Sequence, residues 1–149
     1  MAKASQDEMV AVLQAYQDKL TEAAQQGARR FEQVFAAPPA GVAVHEFDTT
    51  ATIRRVNAEE LKLLGYDVGQ MVGRPVWQFV VMQDASRQSV QKKLAGEKDI
   101  KPFVRTFRTA DGSGLVLLLV DRRLQDPQGR PRGIRTAMMH LGDAEPPAP

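Results

Sequence analysis

The stretch that decides the fold begins with NAEELKLLGY at residues 57–66. Asn57 is a good N-cap, because its side-chain oxygen can accept a hydrogen bond from a free backbone N–H of the first helical turn. Glu59 and Glu60 suit the positive end of the helix dipole, and Gly65 is a natural C-terminal stop. These ten residues therefore predict a short helix that is bounded at both ends.

Short strands are predicted before this helix, and helical segments after it. Residues 41–47 and 52–56 predict the strands, which are joined by a turn of polar residues. The glycines and the proline in residues 68–81 favour short helical turns over one long helix. Asp84–Leu94 is predicted to be a longer helix that begins at an aspartate cap, and both its last residue and Val90 are expected to be buried.

The C-terminal part of the run is predicted to be all strand. Residues 102–109, 115–124 and 133–141 are rich in β-forming residues. They are separated by ADGSG at 110–114 and DPQG at 126–129, whose glycines supply positive φ and whose proline pre-sets a turn. Three consecutive strands joined by such turns form an antiparallel meander.

An amphipathic helix is predicted ahead of the run, over residues 5–36. Ser5 and Glu8 form a capping-box pattern at its start, and Pro38 follows its end. A single helix of roughly 30 residues would be about 45 Å long, so part of it is expected to project or to pack on a partner. Apolar side chains recur along it at spacings of three or four: Met9, Leu13, Tyr16, Leu20, Ala24, Ala28, Phe31 and Phe35.

Composition excludes several classes of function. The 149 residues include no cysteine, which rules out disulfides, thiolate catalysis and iron–sulfur clusters. The 20 basic and 18 acidic residues are interspersed, so nucleic-acid binding is not predicted. The longest apolar run, 115–120, is far shorter than the ~20 residues that span a bilayer, and a signal-peptide pattern is lacking, so we expect a cytoplasmic protein without membrane association. No catalytic motif is recognisable, and no enzymatic activity is predicted.

Four motifs, in this order and spacing, resemble the PAS family and in particular a bacterial PAS sensor domain. They are NAEELKLLGY at 57–66, MVGR at 71–74, RTADG at 108–112, and DPQG at 126–129 followed by Gly133. The resemblance covers residues 41–141 and leaves 142–149 as a tail that is expected to be disordered. It implies an α+β fold in which a five-stranded antiparallel sheet carries helices on one face and encloses a small pocket.

The resemblance also implies a function in sensing and signal transduction. Members commonly respond to ligands, redox state or light, and pass the signal to a downstream signalling protein through flanking helices. They often form homodimers through a helix that precedes the first strand, which is the position of residues 5–36 here. The alternative is a ligand-free module for protein–protein interaction and dimerisation, with a fully packed core.

Residue types constrain the family's cofactors. Covalent flavin photochemistry is excluded, because the family's photosensors need a cysteine. Haem is disfavoured, since the helix Asp84–Leu94, on which relatives carry the iron-ligating histidine, contains none. His45 and His140 fall on strands, where an exposed or satisfied ring is the simpler interpretation. Non-covalent flavin stays open, because Trp77 could stack on its ring; the alternative is that Trp77 fills the core.

Two arginines are the main ligand candidates. Strand alternation places Arg105 on one face with Phe103 and Phe107. By the resemblance, Arg135 occupies a position where flavin-binding relatives place a pocket-facing glutamine. A buried arginine needs an acid, either Glu46 or an anionic ligand such as a small carboxylate, unless both guanidiniums reach the surface. The predicted pocket residues are Arg135, Arg105, Trp77, Phe107, Leu117 and Met139.

A homodimer interface is predicted on the N-terminal helix. Its large apolar side chains bury little if the helix extends alone into water, and roughly 1.5–3 kcal/mol per side chain is at stake. We therefore expect the helices of two copies to pack on each other and on the partner sheet, through Leu13, Tyr16, Leu20, Phe31 and Phe35. The alternative is that the helix folds back and covers an apolar face of its own sheet.

Overall fold

The computed structural model describes residues 5–144. Its helices are α1 (Gln6–Gln26), α2 (Ala28–Phe35), α3 (Ala58–Leu64), α4 (Val68–Met71) and α5 (Gln83–Leu94), with a 3-10 turn at Val76–Phe79. Its strands are β1 (Ala43–Phe47), β2 (Ile53–Val56), β3 (Phe103–Arg108), β4 (Gly114–Gln125) and β5 (Pro131–Asp143). None of the helices in this range is long and apolar enough to cross a bilayer.

The strands form one antiparallel sheet in the order β2-β1-β5-β4-β3. The predicted meander is present as β3, β4 and β5, and the helical segments connect β2 at one edge to β3 at the other. β5 lies in the middle of the sheet and pairs with both β1 and β4. The α+β fold with a five-stranded antiparallel sheet, predicted from the sequence, is confirmed.

Helix α3 is fixed to the sheet by its predicted cap. The side-chain oxygen of Asn57 accepts hydrogen bonds from the backbone N–H groups of Glu60 and Val44, both at 3.0 Å. Its side-chain nitrogen donates to the carbonyl of Val42 at 3.2 Å. Gly65 ends the helix in the left-handed conformation, with φ of 82°. One asparagine therefore both caps α3 and holds it against β1.

Both faces of the sheet are covered. On the inner face, α3, α4, the 3-10 turn and α5 pack on alternate strand residues such as Phe47, Leu117 and Leu119. On the outer face, α1 and α2 pack on the intervening residues, which include Val44 and Leu118. Every position of β1 is buried as a result. The N-terminal helices therefore add a second apolar core to the one that the resemblance implies.

The N-terminal segment is two helices, so the prediction of a single helix to Phe35 is wrong. Gly27 interrupts the helix with a φ of 130°, a backbone conformation that residues other than glycine rarely adopt. Helix α2 turns back on α1, and the Tyr16 hydroxyl donates to the carbonyl of Val34 at 2.5 Å. The fold-back buries apolar side chains that a straight helix would leave in water. The free energy gained by burying these side chains exceeds the free energy that unbroken helical hydrogen bonding would contribute.

This arrangement also corrects the predicted dimer contacts. The five side chains expected at the interface are all buried within the chain: Leu13, Tyr16, Leu20, Phe31 and Phe35. Leu13 and Leu20 are fully inaccessible. They cannot line an interface with a second copy while α1 stays docked on its own sheet. The interpretation that the helix folds back on its own sheet is the one that the structure shows.

The sheet extends further along the chain than predicted. β5 continues to Asp143, which pairs with Leu115 of β4, so residues 142 and 143 belong to the sheet. The predicted disordered tail therefore starts too early. Its remaining part, residues 145–149, lies outside the described residues.

Candidate functional site

A small cavity lies on the inner face, between α5 and the strands β1, β3, β4 and β5. Its volume is about 30 Å³. A buried water molecule needs ~10–15 Å³, so this space holds two or three waters. Seven of its fourteen lining residues have polar side chains: His45, Ser86, Ser89, Lys93, Arg105, Asp121 and Thr136.

A buried ion pair forms one side of the cavity. The Lys93 ammonium lies 2.9 Å from Oδ2 of Asp121, and both side chains are only 4% exposed. The other carboxylate oxygen of Asp121 accepts a hydrogen bond from the Thr136 hydroxyl at 2.6 Å. The same ammonium sits 3.6 Å from the centre of the Phe103 ring, a cation–π contact. These contacts join α5 to three strands of the sheet.

A second buried pair lies beside the first. Nδ1 of His45 is 2.8 Å and 3.0 Å from the two carboxylate oxygens of Glu60, and both residues are buried. Burial by itself lowers the pKa of His45, but the Glu60 carboxylate outweighs it, with smaller contributions from Asp121 and Glu46. The pKa of His45 is therefore raised above its ordinary value of 6.5. The pair favours an imidazolium inside the core.

The polar residues of the sheet form two adjacent rows across the same three strands. His45, Thr136 and Asp121 are register partners on β1, β5 and β4, and they form the inner row. The next register position holds Glu46, Arg135 and Arg122, which form the outer row. Because successive side chains of a strand point to opposite faces, the inner row lines the cavity and the outer row meets the N-terminal helices.

The outer row holds α1 through Arg135. Its Nε donates to the side-chain oxygen of Gln17 at 2.6 Å, and its terminal nitrogen donates to the Gln17 carbonyl at 3.0 Å and the Thr21 hydroxyl at 2.8 Å. The Gln17 amide nitrogen donates in turn to the carbonyls of Val120 and Arg135, at 2.9 and 2.8 Å. Gln17 is fully buried, so α1 is tied directly to β4 and β5.

The charged groups of the outer row are less closely paired than those of the inner row. The Glu46 carboxylate lies 3.7 Å from Arg135, 3.8 Å from Arg132 and 4.0 Å from Arg55. Among residues 5–144, its buried Oε2 has no hydrogen-bond partner. Burial lowers the pKa of Arg135 to about 10, although Glu46 opposes that change. Burial likewise raises the pKa of Tyr16 to about 12, against the effect of Arg135. Arg135 stays charged at neutral pH.

Comparison with known proteins identifies the fold family. The family model of the PAS fold matches residues 35–145. The chain belongs to the PAS family. No curated protein matches the chain. Solved structures that it resembles include two PAS domains, one from an HTR-like protein of Haloarcula marismortui and one from Colwellia psychrerythraea.

The likeness to these PAS domains extends over most of the chain. The Haloarcula domain is 25% identical with a TM-score of 0.63, over 86% of this chain and 99% of that one. The Colwellia domain is 16% identical with a TM-score of 0.65, over 76% and 96% of the two chains. A third PAS domain, from a LuxR-family transcriptional regulator of Burkholderia thailandensis, was solved in complex with ethanol. It is 14% identical with a TM-score of 0.58, over 74% and 96%.

The residues predicted to form the pocket of this PAS domain divide into three groups. Arg105 and Phe107 line the cavity. Leu117 and Trp77 pack in the inner core without lining it. Arg135 and Met139 belong to the outer face, so their assignment to the pocket is wrong. The guanidinium of Arg135 neither reaches solvent nor faces the cavity, since α1 covers it.

Three cavity residues of this PAS domain were missed by sequence reasoning. Lys93, Asp121 and Thr136 carry its main hydrogen-bond network. Asp121 had a usable signal, because it directly follows the apolar run Leu115–Val120 and alternates with inward-facing leucines. No sequence signal indicated that Lys93 is buried. Val90, which was predicted to be buried, is only partly so, and the Lys93 side chain of the same helix points inward.

The volume of the cavity limits which cofactors it can hold. Ligand pockets commonly measure ~300–1,000 Å³, so a flavin ring does not fit a space of about 30 Å³. Within the described residues, no three histidine or acidic side chains cluster in a way that would hold a metal ion. His45 is satisfied by Glu60, and His140 lies 3.2 Å from Asp143 at the partly exposed end of β5. The arrangement suits a small polar molecule or a few waters.

Proposed function

We propose that this PAS domain is a sensory module that reports the state of its inner cavity through helix α1. PAS domains form a family of sensory and signalling modules, and this chain adds a polar cavity on one face and a polar helix contact on the other. Buried ion pairs are weak contributors to stability compared with well-packed apolar groups. Their presence around the cavity therefore favours a role beyond holding the core together.

The adjacency of the two polar rows carries this proposal. Thr136 faces the cavity, and the preceding residue, Arg135, forms hydrogen bonds with Gln17 of α1. Asp121 faces the cavity, and the next residue, Arg122, contacts Asp18 of α1. A ligand that shifts the inner row moves backbone that the outer row shares. The ligand would shift the equilibrium between docked and released α1. The size of that shift equals the difference between its binding free energies for the two states.

A small ligand fits this proposal better than a large one. The cavity already contains polar partners but has room for only a few non-hydrogen atoms. The Burkholderia relative is described in complex with ethanol, a molecule of that size. We propose that the ligand of this domain is similarly small.

Hydrogen exchange tests the relay between the rows. Thr136→Val removes the hydroxyl that bonds Asp121 while keeping the side-chain shape. We expect the α1 amides to exchange at least several-fold faster in this variant, although Thr136 does not touch α1. Ser86→Ala is the matched control, because it changes a cavity hydroxyl on α5 and leaves the sheet rows intact. If exchange in α1 rises no more than exchange in α3, the relay is contradicted.

A second candidate function is a ligand-free interaction module with a closed core. The small size of the cavity is the observation that favours it, since waters alone would fill the space. Native mass spectrometry of the purified protein separates the candidates. A copurified small molecule supports the sensor, whereas an unliganded mass together with no response to any small molecule supports the interaction module.

We propose the predicted homodimer in a changed form, in which α1 and α2 dock on the sheet of a second copy through the contacts that they make here. Because the chain has no cysteine, Asp18→Cys and Arg122→Cys can be combined and joined by a short bismaleimide. A covalent dimer at high micromolar concentration supports exchange of the helices. Crosslinked monomer alone rejects it. A downstream signalling protein would then read the freed or exchanged helix.

A further inference from the structure

The cavity holds more positive than negative charge. Lys93 and Arg105 line it together with Asp121, and His45 lines it with Glu60 directly behind. The upward shift in the pKa of His45 favours its protonated form. Three cations then face two carboxylates, which leaves one positive charge in excess. The cavity can therefore accept the negative charge of one anion.

The excess charge belongs to Arg105. Lys93 is committed to Asp121, and His45 to Glu60. The Arg105 guanidinium is half-buried and lies 5.5 Å from the centre of the Phe103 ring. Within residues 5–144, no carboxylate forms an ion pair with it and no acceptor takes a hydrogen bond from it. A charged group with five N–H donors therefore borders the cavity without a counter-charge.

The cavity has further donors to offer an anion. An ammonium has three N–H groups, and Lys93 uses one of them on Asp121. The imidazolium of His45 bonds Glu60 through Nδ1, which leaves the Nε2–H group. These groups line the same small space as Arg105. Lys93 and His45 therefore keep N–H groups beyond those used in their ion pairs.

We propose that the cavity binds a small monocarboxylate of the size of formate or acetate, with its carboxylate paired to Arg105. The proposal rests on the sensory function, because it names the ligand of that same cavity. A carboxylate matches the planar fork of a guanidinium, with two parallel hydrogen bonds. Its single negative charge neutralises the excess on the site, and its few non-hydrogen atoms occupy the space of two or three waters.

The approach to the cavity is also basic. A groove of about 240 Å³ adjoins the cavity and shares four lining residues with it, including Lys93 and Arg105. It adds Lys98 and Lys101, against the single acid Asp99. A cleft lined mainly by one sign of charge raises the local concentration of the opposite ion. Phe103 and Ser89 are the other two residues in the lining of both spaces.

Thermal shift and calorimetric titration with sodium acetate test the proposal on the full chain, with sodium chloride as the match for ionic strength. We expect acetate to raise the Tm of the wild type in a saturable way. Arg105→Gln should weaken acetate binding at least tenfold, and Arg105→Lys should weaken it less. Arg108→Gln is the matched control, because Arg108 lies on the same strand but is exposed and does not line the cavity.

Neutral and larger molecules complete the experiment. Acetamide and ethanol have the size of acetate without its charge, and butyrate has its charge without its size, so all three should bind at least tenfold more weakly. Equal acetate binding by the wild type and Arg105→Gln overturns the proposal. So does a neutral molecule that binds as tightly as acetate, or the absence of any acetate-specific shift in the wild type.

Hydrogen exchange in α1 distinguishes a failure of this proposal from a failure of the sensory function. If acetate binds through Arg105 but leaves α1 exchange unchanged, the ligand assignment stands and the relay is rejected. If acetate does not bind but ethanol or acetamide binds and changes α1 exchange, the relay stands and the carboxylate assignment is rejected.

Discussion

The inner and outer faces of the sheet bury polar groups by different means. On the inner face, charged side chains meet charged side chains, as in the pairs of Lys93 with Asp121 and of His45 with Glu60. On the outer face, Arg135 is held mainly by the neutral oxygens of Gln17 and Thr21. The Glu46 carboxylate stays 3.7 Å from Arg135 and, within the part of the chain that the structure describes, keeps an oxygen without a hydrogen bond.

This difference separates a fixed layer from a releasable one. Removing one member of an inner pair leaves an uncompensated charge on a buried side chain, which is the more costly defect. Releasing α1 from the outer face, by contrast, would expose Arg135 to solvent, where a guanidinium is well hydrated. The proposed signalling through α1 requires this asymmetry, because the sheet has to stay folded while the helix leaves.

The largest predicted effect is on the inner face. Asp121→Ala leaves the ammonium of Lys93 buried without a counter-charge, and breaking such a pair costs ~3–5 kcal/mol. We therefore expect the free energy of unfolding, measured by urea denaturation, to fall by about that amount. The double variant Lys93→Met with Asp121→Leu should recover most of the loss, since an apolar pair of similar volume needs no counter-charge.

The control for this prediction is Asp84→Ala, because the Asp84 side chain is 92% exposed and only loosely paired with Arg87 at 3.8 Å. It should leave the unfolding midpoint almost unchanged. If Asp121→Ala is no more harmful than Asp84→Ala, the inner pair is not the fixed element that the comparison of the two faces requires.

The next effect concerns the contact between α1 and the outer row. Arg135→Met and Gln17→Leu each leave the other side chain with unsatisfied polar atoms, so each should cost ~1–3 kcal/mol. The double variant should cost less than the sum, with a coupling energy of ~0.5–3 kcal/mol. Urea denaturation of the four proteins completes the cycle. Strict additivity would mean that the two side chains do not stabilise each other.

A smaller, pH-dependent effect should come from His45. Its pKa is raised in the folded protein, so its contribution to stability is complete below the ordinary value of 6.5 and is lost as pH rises through the raised value. Unfolding free energy should therefore decline as the pH rises from about 6.5 through the raised pKa of His45. His45→Gln should flatten this dependence. A wild-type curve that rises over the same window contradicts the pair.

The sequence predicted the elements of the inner layer well, because each has a local cause. Asn57 and Gly65 bound α3 by capping, and the glycines of the two hairpin turns set the order of β3, β4 and β5. These signals depend on a few adjacent residues and survive in the folded chain. The prediction of the meander and the family resemblance followed from them.

The face of each strand could not be predicted in the same way. Alternation places Arg135, Ala137 and Met139 on one face of β5 and Ile134, Thr136 and Met138 on the other, but it does not say which set faces the cavity. In a sheet with one face in water, polarity would decide. Here α1 covers the second face, so both sets are buried and the polar residue Arg135 was assigned to the wrong side. The break at Gly27 was missed because a glycine weakens a helix without necessarily ending it, and the packing of α2 on α1 decides that this helix ends there.

The smallest predicted effect lies at the rim of the outer face, where Arg122 lies 2.7 Å from Asp18 of α1. Both groups are partly in water, the Asp18 side chain with 71% exposure, so the Coulomb attraction is screened and holding two long side chains has an entropic cost. Asp18→Asn should therefore lower the unfolding free energy by less than ~1 kcal/mol, and by still less at 1 M salt, where the Debye length falls to about 3 Å. Denaturation at two salt concentrations measures both. A loss as large as that of Gln17→Leu would place the anchor of α1 at the rim, and the helix would then be released by salt instead of by movement of the sheet.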